Sequence, residues 1–231
     1  MKTHIPNAAR HAIGWHGKLP TIGDFATRRL DAGFVSVWDD WLSAGLASLR
    51  THDPDHWLDA YLASPTWRFV LMPGFLPAPL HAGMWAGVVM PSVDKVGRYY
   101  PLSLAAPLPA LPLDNEAQIE LWVWLQGLED AAIDALQEDW SIDLLETELL
   151  RLGLPPEPAP GIGYVGPGRP GNVHGFNPAA PASREVFFAA CLSAGPNGQG
   201  RCLWYNEADI SAPAMLCSPG LDNSIVRLWR V

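Results

Sequence analysis

Residues 66–108 read TWRFVLMPGFLPAPLHAGMWAGVVMPSVDKVGRYYPLSLAAPL. Three apolar runs stand out: TWRFVLM (66–72), MWAGVVM (84–90) and YYPLSLAAPL (99–108). Each is rich in bulky or β-branched side chains, and Pro- and Gly-rich connections separate them, which is the pattern of neighbouring strands. Pro101 falls near the start of the third run, where a missing N–H is tolerated. The middle of the chain is therefore predicted to be a sheet.

Outward from that sheet the apolar period changes. In FVSVWDDWLSAGLASL the residues Phe34, Val37, Trp38, Trp41, Leu42, Leu46 and Leu49 recur at three- and four-residue steps. This predicts a helix over 34–50 with one apolar face. A short helix is predicted over 55–62, stopping before Ser64 and Pro65 because the residue preceding proline avoids helical angles. On the other side a helix is predicted from 114 to 137, capped by Asp114 or Asn115. Its run Trp122, Val123, Trp124, Leu125 is apolar over more than one face, so burial on two sides is expected. Ser141 is predicted to cap a further helix ending near Leu152 and Gly153, with Trp140 and Leu145 at the spacing of a hydrophobic staple.

Residues 153–184 hold eight prolines and seven glycines, which sustain neither helix nor central strand. The segments that follow are EVFFAACLSA (185–194), GRCLWYNE (200–207) and APAMLC (212–217). They read as short strands with a final turn of helix, too little for a second core. The expectation is one domain over 1–231, with 153–184 as a Pro/Gly-rich surface excursion and the last strands completing the first sheet.

Bulk properties exclude several function classes. The chain has 231 residues, 48% of them apolar, enough for one sizeable core. Its net charge is -9 with only 15 Lys and Arg, which lacks the basic footprint that nucleic acid requires. The start, MKTHIPNAARHAIGW, has no signal-peptide core, and no run of about 18 apolar residues occurs, so a cytoplasmic chain without membrane insertion is expected. Cys191, Cys202 and Cys217 lack CxxC spacing and sit in strand-like apolar contexts, so they read as buried reduced thiols.

No motif carries chemistry. In GWHGKLPTIGDF (14–25), Gly17 and Lys18 are followed by Leu19 and Pro20 where a phosphate-binding P-loop has Ser or Thr after its Lys, the preceding glycine, Gly14, is three residues back rather than five, and the spacing also fails GxGxxG. HDPDH (52–56) has a metal-like inventory, but Pro54 breaks the helical geometry that would join the two histidines, leaving a solvated turn. No GxSxG occurs, and no serine or cysteine has a recognisable His and Asp framework. The adjacent acids Asp39 and Asp40, and Glu129 and Asp130, read as wet helix faces.

Four blocks in order and spacing, GWHGKLPTIGDFATRRL, FVSVWDDWL, WLDAYLASPTWRFVLMPG and WAGVVMPSVDKVGRYYPLSLAAP, resemble the TagF family, also called ImpM, associated with type VI secretion. The resemblance is dense over 13–110 and looser beyond. It implies an α/β fold, specifically a three-layer α/β/α sandwich around a mixed, largely antiparallel sheet. It also implies a non-catalytic cytoplasmic accessory protein without a cofactor. Such a protein negatively regulates secretion after translation by binding a forkhead-associated scaffold protein, beside a threonine kinase and phosphatase pathway.

With that resemblance, GWHGKLPTIGDF reads as a structural corner: Trp15 in a strand, Gly17 and Gly23 at sharp turns, and Pro20 stiffening the loop between them. Charged groups on such turns are ordinarily solvated, which makes Lys18, Asp24, Arg28 and Arg29 candidates for a binding surface. Asp94, Lys95, Arg98 and Tyr99 form a second constellation, open to three readings: a soluble hairpin tip, an internal ion pair or a partner site. Tyr99 and Tyr100 alternate faces, one toward the core. If the two turns lie together, these eight residues form one protein-binding patch. The competing class is a phosphate-handling or anion-binding protein using Lys18, Arg28, Arg29 and Arg98.

Overall fold

A computed structural model describes residues 12–157, 184–194, 200–206, 215–219 and 228–229. The 158–183 portion of the Pro/Gly-rich segment lies outside the described residues, as does the cysteine side chain at 217.

Among the described residues seven strands form one sheet: β1 (Gly14–Gly17), β2 (Ala26–Arg28), β3 (Trp67–Leu71), β4 (Met84–Met90), β5 (Leu102–Leu108), β6 (Arg201–Tyr205) and β7 (Met215–Pro219). Their spatial order is β2-β1-β5-β4-β3-β6-β7. Every pairing between them is antiparallel, so the mixed component expected from the resemblance is absent among the described strands. The hairpin of β3 and β4 aligns Phe69 with Gly87 and Leu71 with Trp85, and β4 in turn aligns Val88 with Leu104 of β5. Gly87 is required at that point: a Cβ there would collide with the Leu104 carbonyl and with the Phe69 ring.

Five α-helices among the described residues flank the sheet: α1 (Ala32–His52), α2 (Trp57–Leu62), α3 (Asn115–Gln137), α4 (Ile142–Leu152) and α5 (Arg184–Ala194). Local chemistry starts them where the sequence indicates. Asp31 accepts from the Gly33 amide, Asp114 from Ala117 and Ser141 from Leu144, each satisfying an amide that the first helical turn leaves unpaired.

The core falls into two clusters that divide the strands by parity. Val70, Ala86, Val88, Met90, Leu102, Leu104 and Ala106 pack with Leu121, Leu125 and Leu128 of α3, Leu145 and Leu149 of α4, and Phe187, Phe188 and Cys191 of α5. Trp67, Phe69, Leu71, Trp85, Val89 and Ala105 pack with Phe34, Trp38, Trp41 and Leu42 of α1 and Tyr61 of α2. Strands buried on both faces read as continuous apolar runs rather than alternating ones, which is why 66–108 was legible as sheet.

Two assignments change. Residues 185–194 form helix α5, not a strand: Phe187, Phe188 and Cys191 are buried at helical spacing, and the dense aromatic run masked that period. Helix α3 buries one broad face, and its Trp122 flank meets the rings of Phe187, Phe188 and Tyr205, but Val123 is 59% exposed, so burial on two sides is only partial. Cys191 and Cys202 are reduced and buried, with Cys191 on a helix.

Candidate functional site

The corner is built by two loops. Strand β1 ends at Gly17, whose φ of 139° is a region that favours glycine. A Cβ there would also strike the Pro101 carbonyl. The chain then runs through 18–25 to the edge strand β2. The second loop, 91–101, joins β4 to β5. The Lys95 amide donates to the Ile22 carbonyl at 2.9 Å, and an Arg98 guanidinium N–H donates to the Gly23 carbonyl, so the loops are tied backbone to backbone and side chain to backbone.

Asp94 is the centre of this junction. Its side chain is fully buried, and Oδ2 receives Lys18 Nζ at 2.9 Å and Arg98 Nε at 2.7 Å. Its Oδ1 accepts from the Val96 amide at 3.0 Å and the Arg98 amide at 2.9 Å. Burial by itself raises this carboxyl's pKa. The Arg98 amide, the Lys18 ammonium, the Arg98 guanidinium and the Val96 amide together outweigh it and hold the group well below the usual carboxylate range. Lys18 is buried as well and lies 4.9 Å from the Phe25 ring centroid. Beneath it, the Ser92 hydroxyl donates to the Lys18 carbonyl at 2.8 Å, and Tyr61 donates to the Ser92 carbonyl at 3.1 Å while accepting from the Ser92 amide at 2.9 Å. Burial pushes the Tyr61 phenol well above its ordinary value.

The structure thus joins five of the eight candidate residues and separates three. Lys18, Asp94 and Arg98 form an ion-paired hub; Lys95 and Asp24 lie on the same two loops and are exposed. Lys18, expected as solvated, is instead buried against Asp94, so of the three readings left open for Asp94 the structure shows the internal ion pair. Arg98 keeps 55% of its side chain exposed. Tyr99 packs edge-on against Trp57 and Tyr61, whereas Tyr100 is the core-facing member of the pair. Arg28 is exposed on β2 and donates to the Thr27 carbonyl at 2.9 Å. Arg29 turns away to α4, pairing with Glu146 and donating Nε to the Ile13 carbonyl at 2.8 Å. Lys18, Arg28, Arg29 and Arg98 therefore do not converge on one anion site.

Several groups at the corner escaped the sequence reading. His16 is buried and spans Thr27 Oγ1, 2.7 Å from Nδ1, and Asp39 Oδ1, 3.2 Å from Nε2. The tautomer protonated on Nε2 satisfies both contacts, donating to Asp39 and accepting from the Thr27 hydroxyl. Tyr100 donates to the same Asp39 oxygen at 2.6 Å; burial foremost, and then the Asp39 carboxylate, raise its phenol pKa strongly. Phe25 caps this cluster, 4.7 Å from Tyr100 between ring centroids and stacked on His16 at 6.0 Å, yet it is 46% exposed. These partners stand far apart in sequence and no local pattern marks them. Asp39 and Glu129 are correspondingly not idle wet-face acids, since Glu129 accepts from buried Arg68 at 2.6 Å. The HDPDH turn is exposed, with His56 Nδ1 3.0 Å from Asp53. Among the described residues, no group of three His, Cys, Asp or Glu could hold a metal and no helix is long and apolar enough to cross a membrane.

Comparison with known proteins places this geometry. The crystal structure of PA0076 from Pseudomonas aeruginosa PAO1 is similar to this chain, with a TM-score of 0.70 and 29% identity, covering 95% of this chain and 94% of that one. No curated protein matches. Residues 14–152, which contain both corner loops and helices α1 to α4, match the family described as the TagF N-terminal domain, type VI secretion system-associated, and the chain belongs to that family.

Proposed function

We propose that this chain is a non-catalytic cytoplasmic accessory protein that negatively regulates type VI secretion after translation, by binding a forkhead-associated scaffold protein. The observation that carries this reading is the family match over residues 14–152. The corner supports a binding role. Its two loops are pinned by a buried carboxylate, and the pinned tip exposes Phe25 at 46%, Val96 at 67% and the ammonium of Lys95. A rigid tip loses little entropy on docking, and an aromatic beside cations is a common hot-spot composition. The three-layer α/β/α arrangement belongs to the same reading and is supported by the two hydrophobic clusters on opposite strand parities.

The phosphate-handling alternative is weakened by the fate of its four cations: Lys18 and Arg98 share Asp94, Arg29 pairs with Glu146, and Arg28 is exposed on an edge strand without an ion pair among the described residues. These positions also change which substitution tests the reading. Arg98→Glu would set a carboxylate against Asp94 and disturb the hub itself, whereas Val96→Asp and Lys95→Glu alter only the exposed tip. In the double variant, circular dichroism should be unchanged, capture of the scaffold protein should fall tenfold or more, about 1.4 kcal/mol, and secretion should rise when it is the only copy. A folded double variant that still captures the scaffold and still represses removes the corner from the reading. Nucleotide or phosphopeptide turnover that Arg28→Ala abolishes replaces the reading with the enzymatic one.

A further inference from the structure

Helix α2 is weak as an isolated element. It has six residues, no side-chain hydrogen bond caps its start, and Tyr61 is its one buried residue. So short a helix does not persist in water without tertiary contacts, and the place of Tyr61 is therefore set by what packs on it. That place matters to the corner. The Tyr61 hydroxyl holds both backbone groups of Ser92, and Ser92 ties in both loops: its hydroxyl donates to the Lys18 carbonyl, and its carbonyl also accepts from the Tyr100 amide at 3.0 Å.

A piece of chain distant in sequence packs on this phenol. Leu228 and Trp229, beyond β7, are both buried. The Trp229 ring stands edge-on to the Tyr61 ring, with 5.6 Å between centroids and 74° between planes. The Leu228 carbonyl accepts from Ser64 Oγ at 2.7 Å and from Trp67 Nε1 at 2.9 Å. These contacts converge on residues 61–67, the end of α2 and the turn into β3. Two donors on one buried carbonyl fix the backbone of the segment, and the edge-on aromatic pair fixes its ring against Tyr61.

We propose that Leu228 and Trp229 form a brace that positions the corner: seated on residues 61–67, they hold Tyr61 over Ser92 and so keep loops 18–25 and 91–101 in one conformation. Trp229 is thus a positioning residue that acts through Tyr61. The brace lies outside residues 14–152, so the portion that matches the family lacks a contact that steadies its own corner. Loss of the brace would loosen the loops and raise the entropy cost of docking on them. That consequence rests on the corner being the binding surface; the bracing itself is measured without a partner, so the two can fail separately.

The test is amide hydrogen exchange on the full chain, read at two places. The Asp94, Lys95 and Gly97 amides, which donate to the Arg98, Ile22 and Asp94 carbonyls, report the corner. The Gly153 amide, which donates to the Leu149 carbonyl at the end of α4, reports local fraying beside the other core cluster. In Trp229→Ala the corner amides should exchange about tenfold or more faster while the end of α4 stays within about twofold. Trp229→Phe keeps an aromatic edge on Tyr61 and should recover most of the protection. In a Tyr61→Phe background, which lacks the hydroxyl on Ser92, Trp229→Ala should add less than about threefold. Three results overturn the proposal: unchanged exchange at the corner, equal acceleration at the end of α4, or an effect of Trp229→Ala as large in Tyr61→Phe as in the unaltered chain. If Trp229→Ala does not fold, Ser64→Ala decides by removing one donor to the Leu228 carbonyl: faster exchange at the corner alone supports the brace, and no change there overturns it. Capture of the scaffold protein by a folded, loosened variant reports separately on the corner reading, and unchanged capture would leave the brace standing while removing the docking role.

Discussion

At the corner, Asp94 is enclosed by two cations and two amide donors, all supplied by the protein. Along α3, Glu116, Glu120 and Asp130 are exposed and Asp134 is half-buried, none with an ion pair among the described residues, and Ile119 and Val123 are exposed on the same helix. Both regions are rich in charge, yet the first is a closed network that organises two loops and the second is an open one. The contrast separates two meanings of a charged sequence. Buried charge must be paired and acts on conformation, whereas exposed charge of one sign acts on encounter and selection of partners.

The sharpest break of this comparison is Asp94→Ala. It leaves buried Lys18 without its counter-ion and releases both loops, so the melting temperature should fall by on the order of 10 °C in a thermal circular-dichroism scan. Glu116→Gln with Glu120→Gln should move it by no more than about 2 °C. Equal shifts in the two variants would mean that the hub is not what closes the corner.

Titration probes the buried network next. The folded pKa of Asp94 is depressed, so its contribution is complete above the ordinary aspartate value of about 3.9 and is lost as pH falls through the lower folded value. Asp94→Asn should accordingly remove part of the acid arm of the stability profile below about pH 4. Tyr61 and Tyr100 behave with the opposite sign. Burial raises both phenols, so their contribution is complete below about pH 10 and lost as pH rises beyond it. Tyr61→Phe and Tyr100→Phe should flatten the alkaline arm, and an alkaline midpoint unchanged in both variants would argue that these phenols ionise as if exposed.

The smallest expected effect lies on the open face. Asp134→Lys replaces an unfavourable charge in the last turn of α3 with a favourable one, and should stabilise the protein by about 0.3–1 kcal/mol at low salt, less at high salt. A denaturant midpoint that falls instead would place Asp134 in an internal contact and narrow the open face to the first half of the helix.

Much of the fold was legible because it is local. The steps of Phe34, Trp38, Trp41 and Leu42 mark α1, and the caps Asp114 and Ser141 begin α3 and α4 where their side chains accept amides three residues on. The three central strands were legible because burial on both faces leaves an unbroken apolar run. Helix α5 was not, since Phe187 and Phe188 satisfy a strand pattern as well as a helical one over so short a run. The family blocks located both corner loops but not their relation to each other.

Sequence by itself determined the helices α1 to α4, the central strands, the family and the concentration of acids between 114 and 157, because each depends on residues close together in the chain. Tertiary structure decided the fate of the charges. Lys18 meets Asp94 across 76 residues and Arg68 meets Glu129 across 61, while Asp39, read as a wet-face acid, holds Tyr100 from the other side of the sequence. Whether a carboxylate is buried, paired or left facing solvent depends on the dielectric and the partners that folding brings to it, and neighbouring residues in the chain carry no record of either.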